Sequence, residues 1–129
     1  MSQTGKSFRT PLGRVRALGS AHLGTNDASA MRVTSIALIP LTFGFVWLLL
    51  SLLRDDYKHA RETLGQPLPA ILLLLFVLAG VYHMQLGMRS VIMDYLHGHA
   101  REWAMLANAF FAIALGLTCV YAVLRIGFV

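Results

Sequence analysis

The side chains best suited to chemistry lie between residues 80 and 95, within an otherwise apolar segment. Five small or polar residues recur there at steps of three and four, so they would share one helix face: Gly80, His83, Gly87, Ser90 and Asp94. A neutral imidazole is a common axial ligand of haem iron. The flanking glycines would let a flat macrocycle or another helix approach the backbone. The stripe therefore indicates either haem ligation by His83 or a small-residue seam in which His83 hydrogen-bonds to a partner helix.

Three polar residues lie at the ends of apolar segments. The phenol of Tyr95 can donate a hydrogen bond to a quinone carbonyl, and the adjacent Asp94 can orient groups or relay protons. Alternatively, Tyr95 is an interfacial belt residue and Asp94 pairs with Arg89 or Arg101. Arg32 opens another apolar segment, where it could extend to lipid headgroups or pair with a carboxylate such as a haem propionate.

The remaining residues give no sign of a catalytic or metal centre. Histidines 22, 59, 97 and 99 all lie in polar segments, and no His/Cys cluster with metal-ligand spacing lies within a predicted helix. His97 and His99 span a turn, which is a weak metal signal and more typical of solvated side chains. The single cysteine, Cys119, cannot form an intrachain disulfide. No phosphate-binding loop, nucleophile elbow or paired-carboxylate hydrolase site is present. We therefore predict no catalytic residue in this chain.

The composition indicates a membrane protein rather than a soluble domain. The 129 residues are 57% hydrophobic and 13% charged, with a mean hydropathy of +0.63, whereas soluble domains carry about 25% charge. This excludes an ordinary soluble domain, and the abundance of apolar residues excludes disorder. The net charge of +5 is concentrated in an N-terminal arm beside apolar segments. Such an arm is typical of the cytoplasmic side of a membrane protein rather than of a nucleic-acid interface.

Three apolar segments are long enough to cross a bilayer, which needs about 20 residues each. The sequence therefore predicts an all-α membrane protein whose three transmembrane helices form part of a multi-subunit bundle. We expect a cytoplasmic arm over residues 1–31 and a membrane anchor over 32–129, with spans at about 33–53, 68–93 and 103–125. His83 would lie ~22 Å along the helix axis from the outer start of the second span, well inside the membrane and toward its cytoplasmic side. An ionisable group at such depth is costly and indicates a function.

The distribution of lysine and arginine predicts the orientation. The N-terminal arm and the second loop, which connects the second and third spans, together carry seven lysines and arginines: Lys6, Arg9, Arg14, Arg16, Arg32, Arg89 and Arg101. The opposite side carries four: Arg54, Lys58, Arg61 and Arg125. The positive-inside rule then places the N-terminus in the cytoplasm and the C-terminus in the periplasm.

Three motifs resemble those of a known family. His83 to Tyr95 is similar to the string H-x-x-x-G-M-x-x-V-x-x-D-Y of the cytochrome b hydrophobic membrane-anchor subunits of succinate dehydrogenase (respiratory complex II). Residues 32–36 resemble that family's R-x-T-[AS]-I opening of the first span. Residues 19–25 resemble the G-S-A-x-x-G-T stretch of the smaller anchor protein of alphaproteobacterial type. The resemblance covers nearly the whole chain.

This resemblance implies roles for individual residues. His83 would be an axial ligand of a haem b shared with a partner subunit, and Arg32 would lie near the haem propionates. Tyr95 would donate to a ubiquinone carbonyl, with Asp94 beside that site. The implied partners are the flavoprotein, the iron–sulfur protein, the second anchor protein (cytochrome b556) and membrane lipid, but no nucleic acid. The implied location is the bacterial inner membrane, and succinate itself would be oxidised on the flavoprotein.

Two other classes of function remain open on the sequence alone. A small proton-coupled transporter or channel component would use His83 and Asp94 as relay groups, although three spans give no even inverted repeat. A cofactor-free structural membrane protein would leave the deep His83 and the Arg32 motif unexplained. Haem absorbance separates these classes from the membrane-anchor hypothesis, because only the anchor binds a coloured cofactor.

The predicted orientation can be tested with reporter fusions. A reporter joined near Thr63 should be active on the periplasmic side, and one joined near His99 on the cytoplasmic side, because the arm and the second loop hold the Lys/Arg excess. The opposite result at both positions would reject the orientation.

Overall fold

The computed structural model describes residues 23–128, which form four helices: α1 (Leu23–Leu52), α2 (Tyr57–Leu64), α3 (Pro67–Tyr95) and α4 (Gly98–Phe128). No strand occurs among these residues. Three of the helices are long and apolar enough to cross a membrane, over Thr25–Leu52, Pro67–Tyr95 and Gly98–Gly127. The predicted all-α class with three spans is therefore confirmed. Most of the predicted arm, including the greater part of the motif at 19–25, lies outside the described residues.

The helices extend beyond the apolar segments that predicted them. α1 begins upstream of Arg32 and continues through Pro40, although a proline leaves the carbonyl one turn before it without its usual helical partner. α3 begins with Pro67 in its first turn, as expected for a residue that lacks an N–H. The segment between the first two predicted spans contains the eight-residue helix α2. The hydropathy pattern predicts the apolar part of each helix but not the residues at which the helix begins and ends.

α3 is the central helix, since it packs against both α1 and α4. It packs tightly against α1 at Gly44, where an added Cβ would lie 2.6 Å from Leu72 Cδ1. One residue further along α1, the ring of Phe45 stacks on Phe76 with centroids 4.5 Å apart. A small residue beside a large one lets two helix backbones approach within a membrane. These contacts align the C-terminal half of α1 with the N-terminal half of α3.

α3 and α4 form a helical hairpin with a very short connection. α3 ends with a bond from the Leu96 N–H to the Ile92 carbonyl, and α4 begins at Gly98, whose φ is +61°. That left-handed conformation favours glycine. Deeper in the hairpin, buried Asn108 donates its amide to the Gln85 carbonyl at 3.0 Å. This bond links α4 to the part of α3 that carries His83.

The described residues bury few side chains. The buried residues are few: Leu48, Pro69, Leu86, Ile92, Asn108 and Ala112. Only 6% of the most apolar window of α3 is buried, and 11% of those of α1 and α4. Large apolar side chains instead cover the outer helix faces. A surface this apolar needs lipid or other helices around it, as expected for one part of a larger bundle.

Candidate functional site

A hydrogen bond between α1 and α3 lies at the centre of the site. The Nδ1 atom of His83 is 2.9 Å from the hydroxyl oxygen of Thr34, and both side chains are half-buried. The same hydroxyl lies 2.8 Å from the Ala30 carbonyl and 3.0 Å from the Met31 carbonyl. Thr34 therefore contacts its own helix and the imidazole of the neighbouring helix at once.

These distances determine which nitrogen of His83 carries the proton. A threonine hydroxyl has one proton, and carbonyl oxygens can only accept. All three contacts are satisfied only when Thr34 donates to its own helix and accepts a bond from the Nδ1–H of His83. In the neutral ring, Nε2 then keeps its lone pair. Nε2 has no hydrogen-bond partner within residues 23–128, so it is available as a ligand atom.

The glycines on the same stripe face open space. A Cβ added at Gly80 or Gly87 would meet no atom of residues 23–128 within 4 Å. Neither glycine therefore serves a close contact between the described helices, in contrast to Gly44. The surface around His83 remains open to a flat ligand or to a helix of another subunit.

Arg32 lies beside a cavity of about 400 Å³ between α1 and α3. Asp27 and Ser90 supply the other polar side chains of its lining. Asp27 also forms an ion pair with Arg89 at 3.3 Å, with both side chains about one-third exposed. Arg32 itself is exposed and makes no ion pair within residues 23–128. The structure thus leaves a guanidinium without an ion-pair partner among the described residues, on α1 two residues before Thr34.

Asp94 and Tyr95 lie at the far end of α3. Both are exposed, Tyr95 to 78%, and neither forms a hydrogen bond or an ion pair within the described residues. Arg89, one of the two arginines that sequence offered to Asp94, pairs with Asp27 instead. Tyr95 is about 18 Å from His83 along the helix axis. His83 and the Asp94–Tyr95 pair therefore form two separate groups of polar side chains along α3.

Comparison with known proteins identifies the family. Residues 6–123 match the model of the succinate dehydrogenase/fumarate reductase transmembrane subunit. The chain belongs to this family. A "succinate dehydrogenase hydrophobic membrane anchor subunit" of Paracoccus denitrificans is 35% identical over 120 residues, which cover 93% of each chain. The protein of the same description from Rickettsia bellii is 28% identical over 117 residues, covering 90% of this chain and 94% of its own. No solved structure matches the chain.

Within this family of transmembrane subunits, the predicted resemblance to alphaproteobacterial anchor proteins is confirmed. The sequence pattern indicates His83 as a candidate haem ligand. It includes Thr34 only as one residue of the motif that begins with Arg32. The contact between the two was missed, because it depends on how α1 and α3 are aligned. A hydroxyl residue in the first span, within the same motif as an arginine, was the available signal.

Replacement of Thr34 by valine tests the assigned tautomer. Thr34→Val keeps the shape of the side chain but removes the acceptor, so Nδ1–H should no longer be favoured. In ¹⁵N NMR spectra of the isolated chain in detergent, the wild-type His83 ring should show protonated Nδ1 and unprotonated Nε2. The variant should lose that preference.

Ser35→Ala is the matched control, since the Ser35 hydroxyl donates to the Met31 carbonyl at 2.7 Å and does not contact His83. Its His83 spectrum should equal that of the wild type. A protonated Nε2 in the wild-type chain would contradict the assignment.

Proposed function

We propose that this chain is a hydrophobic membrane-anchor subunit of a bacterial succinate dehydrogenase, and that His83 binds the iron of a haem b through Nε2. The hydrogen bond from Nδ1 to Thr34 carries this proposal, because it leaves Nε2 free and orients the ring. Imidazoles that bind metals commonly hold their other nitrogen in such a bond. The descriptions of the relatives support the membrane-anchor role.

The residues around His83 fit a haem. Gly80 and Gly87 leave the helix surface open on both sides of the imidazole, and a flat macrocycle needs such access to the backbone. Arg32 offers a free guanidinium near the start of α1, where it can pair with a propionate. When bound, haem supplies a one-electron redox centre. One histidine gives one axial ligand, so we infer that the second comes from the other anchor protein, cytochrome b556.

The end of α3 suits a quinone headgroup. Tyr95 presents a phenol that can donate to a ubiquinone carbonyl, and the Asp94 carboxylate lies one residue before it. The exposure of both side chains leaves them accessible to a ligand or to another protein of the complex. We infer that ubiquinone binds here, about three turns of helix from the haem ligand.

The proposed assembly follows from the two sites. The flavoprotein would oxidise succinate, and the iron–sulfur protein would pass electrons to the quinone beside Tyr95. With the N-terminus in the cytoplasm, the Tyr95 end of α3 faces the cytoplasm, where soluble subunits can dock. The large exposed apolar faces of α1 and α4 support a bundle with cytochrome b556 in the inner membrane. The contribution of this chain to catalysis is then to hold the haem and the quinone.

Removal of the imidazole tests the haem assignment. His83→Ala in the purified complex should abolish or strongly perturb the reduced-minus-oxidised b-haem spectrum, because the iron loses one strong-field ligand. His59→Ala is the control, since His59 is exposed on α2 and lies at the opposite end of the bundle. An unchanged spectrum in the His83 variant would reject ligation and favour a role in helix packing. A colourless wild-type complex would favour the transporter or structural alternatives.

The quinone assignment is tested by Tyr95→Phe, which keeps the ring and removes the donor. A phenol hydrogen bond is worth roughly 0.5–1.5 kcal/mol. The variant complex should assemble and retain haem but lose most succinate-to-quinone electron transfer. Succinate oxidation with an artificial dye that accepts electrons from the soluble subunits should persist. Wild-type rates of quinone reduction in an intact complex would show that Tyr95 is only an interfacial residue.

A further inference from the structure

A second polar cavity lies at the opposite end of the bundle from Tyr95. It has a volume of about 580 Å³ and lies between α2 and the C-terminal turns of α4. α2 contributes four residues at helical spacing, Tyr57, Ala60, Arg61 and Leu64. α4 contributes four at the same spacing, with Ile126 beside them: Thr118, Tyr121, Ala122 and Arg125. Two helix faces therefore line one cavity.

The two faces carry the same chemistry. Each supplies one arginine and one tyrosine next to a small alanine. Neither Arg61 nor Arg125 forms an ion pair with a carboxylate of residues 23–128. Two guanidinium groups that share a cavity repel each other unless an anion lies between them. The cavity thus provides two positive charges and two phenols without a bound negative charge from the described chain.

We propose that this cavity binds the phosphate of an anionic phospholipid. Arginine forms forked hydrogen bonds with phosphate oxygens, and Arg61 and Arg125 both line this cavity. α2 directly follows one membrane-spanning helix and directly precedes the next, so the cavity lies at headgroup depth. Tyr57 and Tyr121, exposed to 80% and 64%, are placed where interfacial aromatic residues occur.

The surface of α4 next to the cavity suits an acyl chain. Ala114, Thr118 and Ala122 are exposed small residues, one turn apart, that lead from the cavity toward the middle of the helix. The Thr118 hydroxyl already donates to the Ala114 carbonyl at 2.8 Å, so it does not need a polar ligand. A free phosphate ion would use the arginines alone, whereas a phospholipid would use both surfaces.

Lipid binding to the purified full-length chain, together with the proteins of the complex that copurify with it, tests the proposal. After delipidation in detergent, phosphatidylglycerol is added and bound lipid is counted by native mass spectrometry. The wild-type protein should retain phosphatidylglycerol in preference to phosphatidylcholine. Arg61→Gln together with Arg125→Gln should weaken that binding at least about tenfold, and each single variant about fivefold. If the double variant does not fold, the loss of phosphatidylglycerol binding in the single variants tests the proposal.

Arg54→Gln is the matched control, because it removes the same charge at the same end of the bundle from a residue that does not line the cavity. It should bind phosphatidylglycerol as the wild type does. Equal losses in the Arg54 variant, or equal retention of phosphatidylcholine, would overturn the proposal. Displacement of the lipid by millimolar inorganic phosphate would also overturn it, because the site would then recognise a free anion. Because the measurement counts bound lipid, its result does not depend on whether His83 binds haem.

Discussion

The bond between Thr34 and His83 holds the polar part of this bundle in place. It joins α1 to α3 at a depth where an unpaired imidazole would be costly. Since Thr34 also donates to its own helix, the imidazole has one favoured proton position and one free nitrogen. The Asp27–Arg89 ion pair supports the same helix pair nearer the start of α1. The approach of Gly44 to Leu72 supports it at the other end, so three different contacts fix the alignment that orients His83.

Outside these contacts, most side chains of the described helices are exposed. Few side chains are buried within residues 23–128, and a Cβ added at either glycine beside His83 would touch no neighbouring helix in that part of the chain. A membrane anchor that shares its ligands with partners needs such faces, because a helix already packed against its own neighbours could not accept a macrocycle or a second protein. The close packing is instead found at Gly44, away from the candidate ligand. Small residues thus occur in two settings in this fold: in close helix contact at Gly44, and on an open helix surface at Gly80 and Gly87.

Sequence could predict the number of spans, the helical class, the family and the stripe that carries His83, because each depends on local spacing or on motif similarity. It could not predict the Thr34 contact or the pairing of Arg89 with Asp27, since both depend on the alignment of distant segments. It assigned no helix to residues 54–67 and so missed α2, whose tyrosine and arginine align only when that segment is helical. The buried Asn108 was also missed, because a single amide in an apolar run has no periodic signal.

Haem ligation requires His83 to present Nε2 to the iron while Thr34 holds Nδ1. The most direct measurement is a cryo-electron microscopy map of the assembled complex at a resolution that shows the imidazole. We expect iron density bonded to Nε2 of His83, with Nδ1 still at hydrogen-bond distance from the Thr34 hydroxyl and the macrocycle beside Gly80 and Gly87. A map in which Nε2 contacts a side chain of another protein, with no haem at this helix, would contradict ligation by His83.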